Sequence, residues 1–175
     1  MSSPSYLLDV NSGYMILPIL QIPHPLLRSV SAPIQQLTPA SRKLTGDMLD
    51  TMRKHHAVGL AAVQVGSSVR MITISPSTGC PYVVLINPRL VSHSADSREG
   101  EEGCHSIGEG KPRWSTRRYT QVVVEFTDRA DQPCRLTAAG LAAKVLQHEI
   151  DHLNGKLITD YVKVAALDRG RSCYG

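Results

Sequence analysis

Two histidines and a glutamate stand close together near the C-terminal end of the chain, in Gln147-His148-Glu149-Ile150-Asp151-His152-Leu153. On a helix, residues four apart share one face. His148 and His152 could then reach one metal ion, with Glu149 near enough to move a proton. The competing reading is a pair of core histidines bonded to backbone carbonyls, with Glu149 at the helix edge.

The element that must hold these groups is a helix over about 138–154, with Thr137 as its cap and Gly155 at the position where helices often end on glycine. One stripe of that helix runs Leu141, Val145, His148, His152. Its neighbour runs Ala142, Leu146, Glu149, Leu153. Both stripes read as buried. Burying two imidazoles and a carboxylate unpaired is costly, and a metal ion that takes the imidazole nitrogens removes much of that cost.

Two histidines do not complete a site, because a catalytic metal usually takes three protein ligands and keeps a position for water. The candidates for the third are Cys104, His105, Glu101, Glu102, His24, His55, His56 and His93. Cys104 stands out within Glu101-Glu102-Gly103-Cys104-His105-Ser106, because Gly103 permits close approach of backbone to a ligand. Spacing alone leaves Cys104 open between a ligand and a buried thiol. His55 and His56 end a helix, where histidine suits the dipole.

The rest of the chain reads as an α+β domain, with mixed or antiparallel strands packed around the C-terminal helix. Thr38 with Pro39 opens a helix over 39–56, with Leu44, Met48 and Met52 on one face. Val69–Ser75, Tyr82–Ile86 and Thr120–Thr127 are rich in β-branched residues and read as strands. Residues 23–36 contain three prolines and read as extended or turning chain. Residues 94–118 read as one long functional loop. Asp128 to Gln132 reads as a hairpin turn, and Lys156–Val162 as a short strand. The single domain is expected over 15–165, with a leader or disordered stretch over 1–14 and a short tail over 166–175.

Length and composition are those of an ordinary globular chain of 175 residues. The net charge of +4 is mild, and the basic residues form no nucleic-acid stripe, although a weak preference for anionic surfaces fits. Cys80, Cys104, Cys134 and Cys173 form no CxxC pair and no disulfide framework, which suits a reducing compartment. The apolar run Met15–Ile22 is too short to span a bilayer and has no basic lead-in of a secretory signal.

Three segments together resemble the peptide deformylase family. That family carries GxGxAAxQ, EGCxS and HExDH motifs in this order. Here they read Ala57-Val58-Gly59-Leu60-Ala61-Ala62-Val63-Gln64, then Glu102-Gly103-Cys104-His105-Ser106, then His148-Glu149-Ile150-Asp151-His152. The resemblance runs from about Met15 to Val162. It implies an enzyme that removes the N-formyl group from the N-terminal methionine of new polypeptides. It implies one divalent metal ion, generally ferrous iron, with zinc, nickel or cobalt as other occupants, held by Cys104, His148 and His152. Glu149 is implied as the acid/base. Gln64 and the backbone N–H of His105 are implied as partners of the formyl oxygen.

By the same resemblance Gly59 and Leu60 pair with the substrate backbone, and Gly103 is expected beside them as a substrate-binding residue. Arg118 stands near the substrate backbone or supports the loop, with a solvated surface arginine as the competing reading. The final helix is expected to line the methionine pocket, with Val145 and Leu146 as candidates. A monomer in the cytoplasm is implied, with weak ribosome association. The departures are Ala57 for the first glycine, His105 where leucine is common, and a short tail where many bacterial members have a longer helix. The His105 side chain is free on this reading either to face solvent or to alter the pocket rim.

Overall fold

The computed structural model describes residues 15–81, 83–111 and 113–161. The expected leader over 1–14, the tail over 166–175 and Cys173 lie outside the described residues, as do Tyr82 and Val162 at the ends of two expected strands. In chain order the elements are α1 (Pro39–Lys54), β1 (Gly59–Ala61), β2 (Met71–Ile74), β3 (Val84–His93), β4 (Ser97–Glu102), β5 (Trp114–Tyr119), β6 (Gln121–Thr127), β7 (Pro133–Ala139) and α2 (Gly140–Leu153). Strands β1-β2-β3-β6-β7 form one antiparallel sheet in that order, and β4 pairs with β5 as a separate ribbon. None of the described helices is long and apolar enough to cross a membrane.

Period-two alternation decides which helix each strand residue meets. Ile72, Ile74 and Leu85 point to α2, where they join Ala143, Leu146, Ile150 and Leu153 in one core. Met71, Val84 and Ile86 point the other way, onto Met48, Leu49 and Met52 of α1. The sheet is thus a shared wall between two cores, and its first strand, β1, lies at the sheet's edge.

Helix α1 starts where the sequence says it should. Thr38 Oγ1 accepts from Ser41 N at 3.2 Å, and Ser41 Oγ accepts from Thr38 N at 2.9 Å, a reciprocal cap around Pro39. The helix ends at Lys54, and His56 takes a left-handed conformation with φ 52° that turns the chain toward β1.

Helix α2 starts differently from expectation. Thr137 is not its cap but a residue of β7, paired with Val123 of β6. The helix begins at Gly140, whose φ of 58° makes the turn out of the strand, and Ala139 caps it without a side-chain bond. At the other end Gly155 has φ 69°, and a Cβ there would overlap the carbonyl of Arg28. That contact needs glycine on both counts.

Two further expectations are corrected. Residues 94–118 are not one loop: β4 and β5 are an antiparallel ribbon in register from Ser97↔Tyr119 to Glu102↔Trp114. The buried members of the ribbon are Glu102, Thr116 and Arg118, so its alternation is of buried polar groups and hydrophobic periodicity does not see it. The segment after Gly155 turns into helix over 158–161 rather than strand. Leu157 and Ile158 there close a small third core with Leu27, Cys104 and Ile107. The turn at Asp128–Gln132 is a hairpin, closed by Asp128 N on Gln132 O at 2.9 Å.

Candidate active site and metal centre

A cleft of about 380 Å³ opens between the segment around β1, the end of β4 with the loop after it, and one face of α2. Gln64 and Gly59 come from the first wall, Gly103, Cys104 and His105 from the second, and Val145, His148 and Glu149 from the helix. Residues from three distant parts of the chain meet here because the two cores fix the sheet edge and the helix, while the ribbon brings Cys104 over them.

Cys104, His148 and His152 offer ligand atoms that lie within 4.8 Å of one another, and all three are buried. Cys104 Sγ stands 3.2 Å from His152 Nε2. The two imidazoles meet edge to face with centroids 4.9 Å apart. His148 Nδ1 is engaged at 2.9 Å by Glu102 Oε2, which leaves Nε2 as the available donor. A carboxylate behind a ligand histidine is the usual way to fix its tautomer and raise its basicity. Burial disfavours the imidazolium of His148, yet the hydrogen bonds from Cys104 and Glu102 outweigh it and push the pKa up to about 10. One thiol and two imidazoles, closely grouped and buried, are a donor set that fits a zinc-like or ferrous cation. His152 is shifted the other way, well below its ordinary value, first by burial and then by the neighbouring His148. A neutral ring is the form that can ligate.

The other candidates for a third ligand stand elsewhere. Glu102 is a partner of His148 rather than a member of the trio. Glu101, His55, His56, His24 and His93 are not members of it either.

Glu149 is buried to 4% exposure and lines the cleft. Burial lifts its carboxyl to about 7, the attraction of His148 being too weak to offset it. Its Oε2 has no hydrogen-bond partner among the described residues. A carboxyl poised near neutrality with a free oxygen can both take and return a proton. Gln64 is held by Ala61 N on its Oε1 at 2.8 Å, so its amide nitrogen must face the centre, 3.2 Å from Ser106 Oγ and 3.7 Å from Cys104 Sγ.

Glycine is required at two cleft positions. A Cβ on Gly59 would overlap Glu149 Oε1 and Val145 Cγ1, and one on Gly103 would overlap Gly110 O. The carbonyl of Cys104 is pinned by Ile107 N at 2.9 Å and Gly110 N at 3.0 Å. Because a peptide is planar and trans, the His105 N–H on that same peptide is aimed the opposite way. The His105 ring does not hang in solvent: Nε2 lies 3.0 Å from His55 O, which ties the metal loop to the end of α1. Gln21 Nε2 holds the His105 carbonyl at 2.8 Å.

Arg118 lines no part of this cleft. It is 6% exposed behind Glu102, gripping both carboxylate oxygens at 2.8 and 3.0 Å and reaching Asp151 and the Tyr161 hydroxyl. Of the two roles open to it from the sequence, the geometry fits support of the loop. Burial would raise the Glu102 carboxyl, but the bonds from His148 and Arg118 hold it far below its usual range. Leu60 is fully buried in the α1 core, so its side chain is turned from the cleft. Leu146 is likewise in the α2 core and not in the cleft, whereas Leu141, taken from sequence as a buried stripe residue, is 49% exposed at the cleft wall. Sequence reasoning missed Lys144, which lines the cleft with its Nζ 2.5 Å from Glu101 O. It lies between Leu141 and His148 at helical spacing, and that proximity to the motif was the available signal.

The family model for polypeptide deformylase matches residues 16–167. The chain is 38% identical over 150 residues to the peptide deformylase of Rhizobium meliloti (strain 1021), a match covering 84% of this chain and 85% of the relative. Its structure is similar to that of the Thermotoga maritima peptide deformylase, with TM-score 0.79, 31% identity, and 85% and 98% of the two chains covered. It is also similar to a class I type b peptide deformylase from Acinetobacter baumannii bound to Met-Ala-Ser, with TM-score 0.77, 28% identity and coverage of 84% and 98%. The α+β fold around a C-terminal helix, the Cys/His/His cluster and these matches make one case: this chain belongs to the polypeptide deformylase family.

Proposed function

We propose that the cleft removes the formyl group from formyl-methionyl peptides at a divalent metal held by Cys104, His148 and His152. The observation that carries this reading is the grouping of those three donors beside one cleft that Cys104, His148, Glu149 and Gln64 line, next to the edge strand β1. The relative crystallised with Met-Ala-Ser supports the substrate class.

A metal bound there supplies Lewis acidity, which makes water a stronger acid and the formyl carbonyl a better electrophile. The protein does the rest. The substrate lies extended along Gly59 and Leu60, using backbone groups of the sheet edge. Val145 lines the site for the methionine side chain, and the glycine at 59 leaves room for the reacting carbon beside Glu149. Glu149 takes a proton from the attacking water and returns it to the leaving amine. The Gln64 amide and the His105 N–H receive the charge that develops on the formyl oxygen. Donors fixed in advance are worth on the order of 3–4 kcal/mol each at such a site. Gly103 lets the loop pass close beneath Gly110, and Arg118 acts through Glu102 on His148.

Ferrous iron is the ion we assign, with zinc, nickel or cobalt fitting the same ligands on softness. The enzyme acts in the cytoplasm as a monomer, and its net charge of +4 favours weak association with an anionic ribosome surface. The test uses protein purified without oxygen. Metal content is measured on the same sample that is given formyl-Met-Ala-Ser and its unformylated twin. Formate release from the first, with one metal per chain and no cleavage of the second, is expected. Peptide-bond cleavage of either would overturn the reading in favour of a peptidase.

A further inference from the structure

Lys144 stands on α2 one residue before Val145, half-buried at the cleft wall. Its side chain crosses to the opposite ribbon, where Nζ bonds Glu101 O at 2.5 Å. There the missing side chain of Gly100 leaves space: a Cβ on that glycine would stand 3.2 Å from Lys144 Nζ. A second cleft of about 350 Å³ lies on the far side, lined by Gly100, Thr116, Arg118 and Gly140 among others. Lys144 is the residue that lines both clefts.

The lysine is therefore a partition. Its methylene stem offers apolar surface to whatever enters the first cleft, while the ammonium is held at a carbonyl beyond it. The bond to Glu101 O holds the end of the side chain on the ribbon, so the stem spans the gap between α2 and β4.

We propose that Lys144 is a specificity-determining residue that sets the depth of the pocket for the substrate's first side chain. This rests on the deformylase reading of the cleft. With the partition in place, a side chain of methionine's length fits and a longer one meets the lysine stem. With the partition removed, the two clefts join and the longer chain is admitted.

The experiment compares formyl-Met-Ala-Ser with formyl-2-aminooctanoyl-Ala-Ser, whose side chain is longer than methionine's by two chain atoms. Wild-type protein and Lys144→Ala are assayed for kcat/KM on both, with metal content and melting temperature measured alongside. Alanine is a good helix former, so α2 should persist. The Met-over-aminooctanoyl preference is expected to fall by about tenfold or more in Lys144→Ala, the scale of a methylene's worth of pocket fit. Lys144→Met keeps a four-atom unbranched stem without the ammonium and should keep most of the wild-type preference.

An unchanged preference in metal-loaded Lys144→Ala would overturn the proposal. So would an equal relaxation in Lys144→Met, since occupied volume would then not be what selects. If the alanine variant does not fold, Lys144→Val carries the same comparison, with a smaller shift. Failure of the wild type to deformylate formyl-Met-Ala-Ser would instead sink the underlying reading, and the two failures are distinct.

Discussion

The two helices meet the central sheet in opposite ways. Helix α1 buries a stripe of Met48, Leu49 and Met52 in apolar contact with Met71, Val84 and Ile86, and its buried polar groups, Thr45, Asp47 and Thr51, lie outside the candidate site. Helix α2 is buried nearly all round. Ala143, Leu146, Ile150 and Leu153 pack on the sheet, while Gln147, His148, Glu149 and His152 are buried on the remaining faces. The apolar side tolerates exchange of one shape for another of similar volume. The polar side does not, because its groups depend on particular partners: Gln147 holds both backbone groups of Tyr119 at 3.0 Å, His148 has Glu102, and Glu102 has Arg118 and Thr116, while Glu149 is left with a free oxygen at the cleft. Stability can be spread over many contacts, whereas the candidate chemistry is concentrated in a few.

Variants on the two sides should separate these roles, ordered here by effect on turnover. Glu149→Ala removes the proposed proton carrier and should lower kcat by about 10³-fold, within the range for a lost acid/base. Metal analysis should show the ion retained, and wild-type rates in that variant would remove Glu149 from the mechanism. Gly59→Ala places a methyl against Glu149 Oε1 and Val145. Displacement of the carboxylate by a fraction of an ångström to an ångström should cost up to about 10²-fold in kcat/KM, read in a steady-state assay with the melting temperature as control.

Glu102→Gln keeps the shape but takes the charge from between His148 and Arg118, two groups that are themselves buried. Metal affinity should fall about 10- to 100-fold, measured by competition with a chelator. Unfolding in denaturant should show a loss of about 3 kcal/mol, as for a buried pair broken on one side. Met48→Ala is the contrasting case from the α1 side. It should cost about 2–5 kcal/mol by cavity formation, yet leave kcat and metal content per folded molecule at the wild-type level. A selective loss of activity there would mean that the two sides of the sheet are coupled more tightly than the contacts imply.

The parts that were legible in the sequence are those whose signal is local. Thr38 and Pro39 marked α1 because a cap and a fixed φ act on neighbouring residues. HExDH on a buried stripe pointed to α2 for the same reason, and three motifs in order pointed to the family. The β4–β5 ribbon was hidden, because Ser-Arg-Glu-Gly-Glu-Glu has no hydrophobic alternation and becomes a strand only by burying Glu102 against Arg118. Thr137 had the chemistry of a cap, but pairing with Val123 drew it into β7. His105 was ambiguous until its ring was seen against the His55 carbonyl, some fifty residues away in sequence.

The sequence by itself determined the helix boundaries set by Thr38 and Gly155, the β-branched runs of the central strands, and the set of groups able to bind a metal. Only the tertiary structure decided which of those groups meet. It placed Cys104 beside His152, put Glu102 behind His148 in place of a ligand role, moved Arg118 out of the cleft and set Lys144 as a wall within it. The reason is range. Caps, turns and periodicity act over a few residues. The partners of a buried charge are chosen by whichever distant segment can bring a compensating group, and that choice exists only once the sheet, the ribbon and α2 have closed on one another.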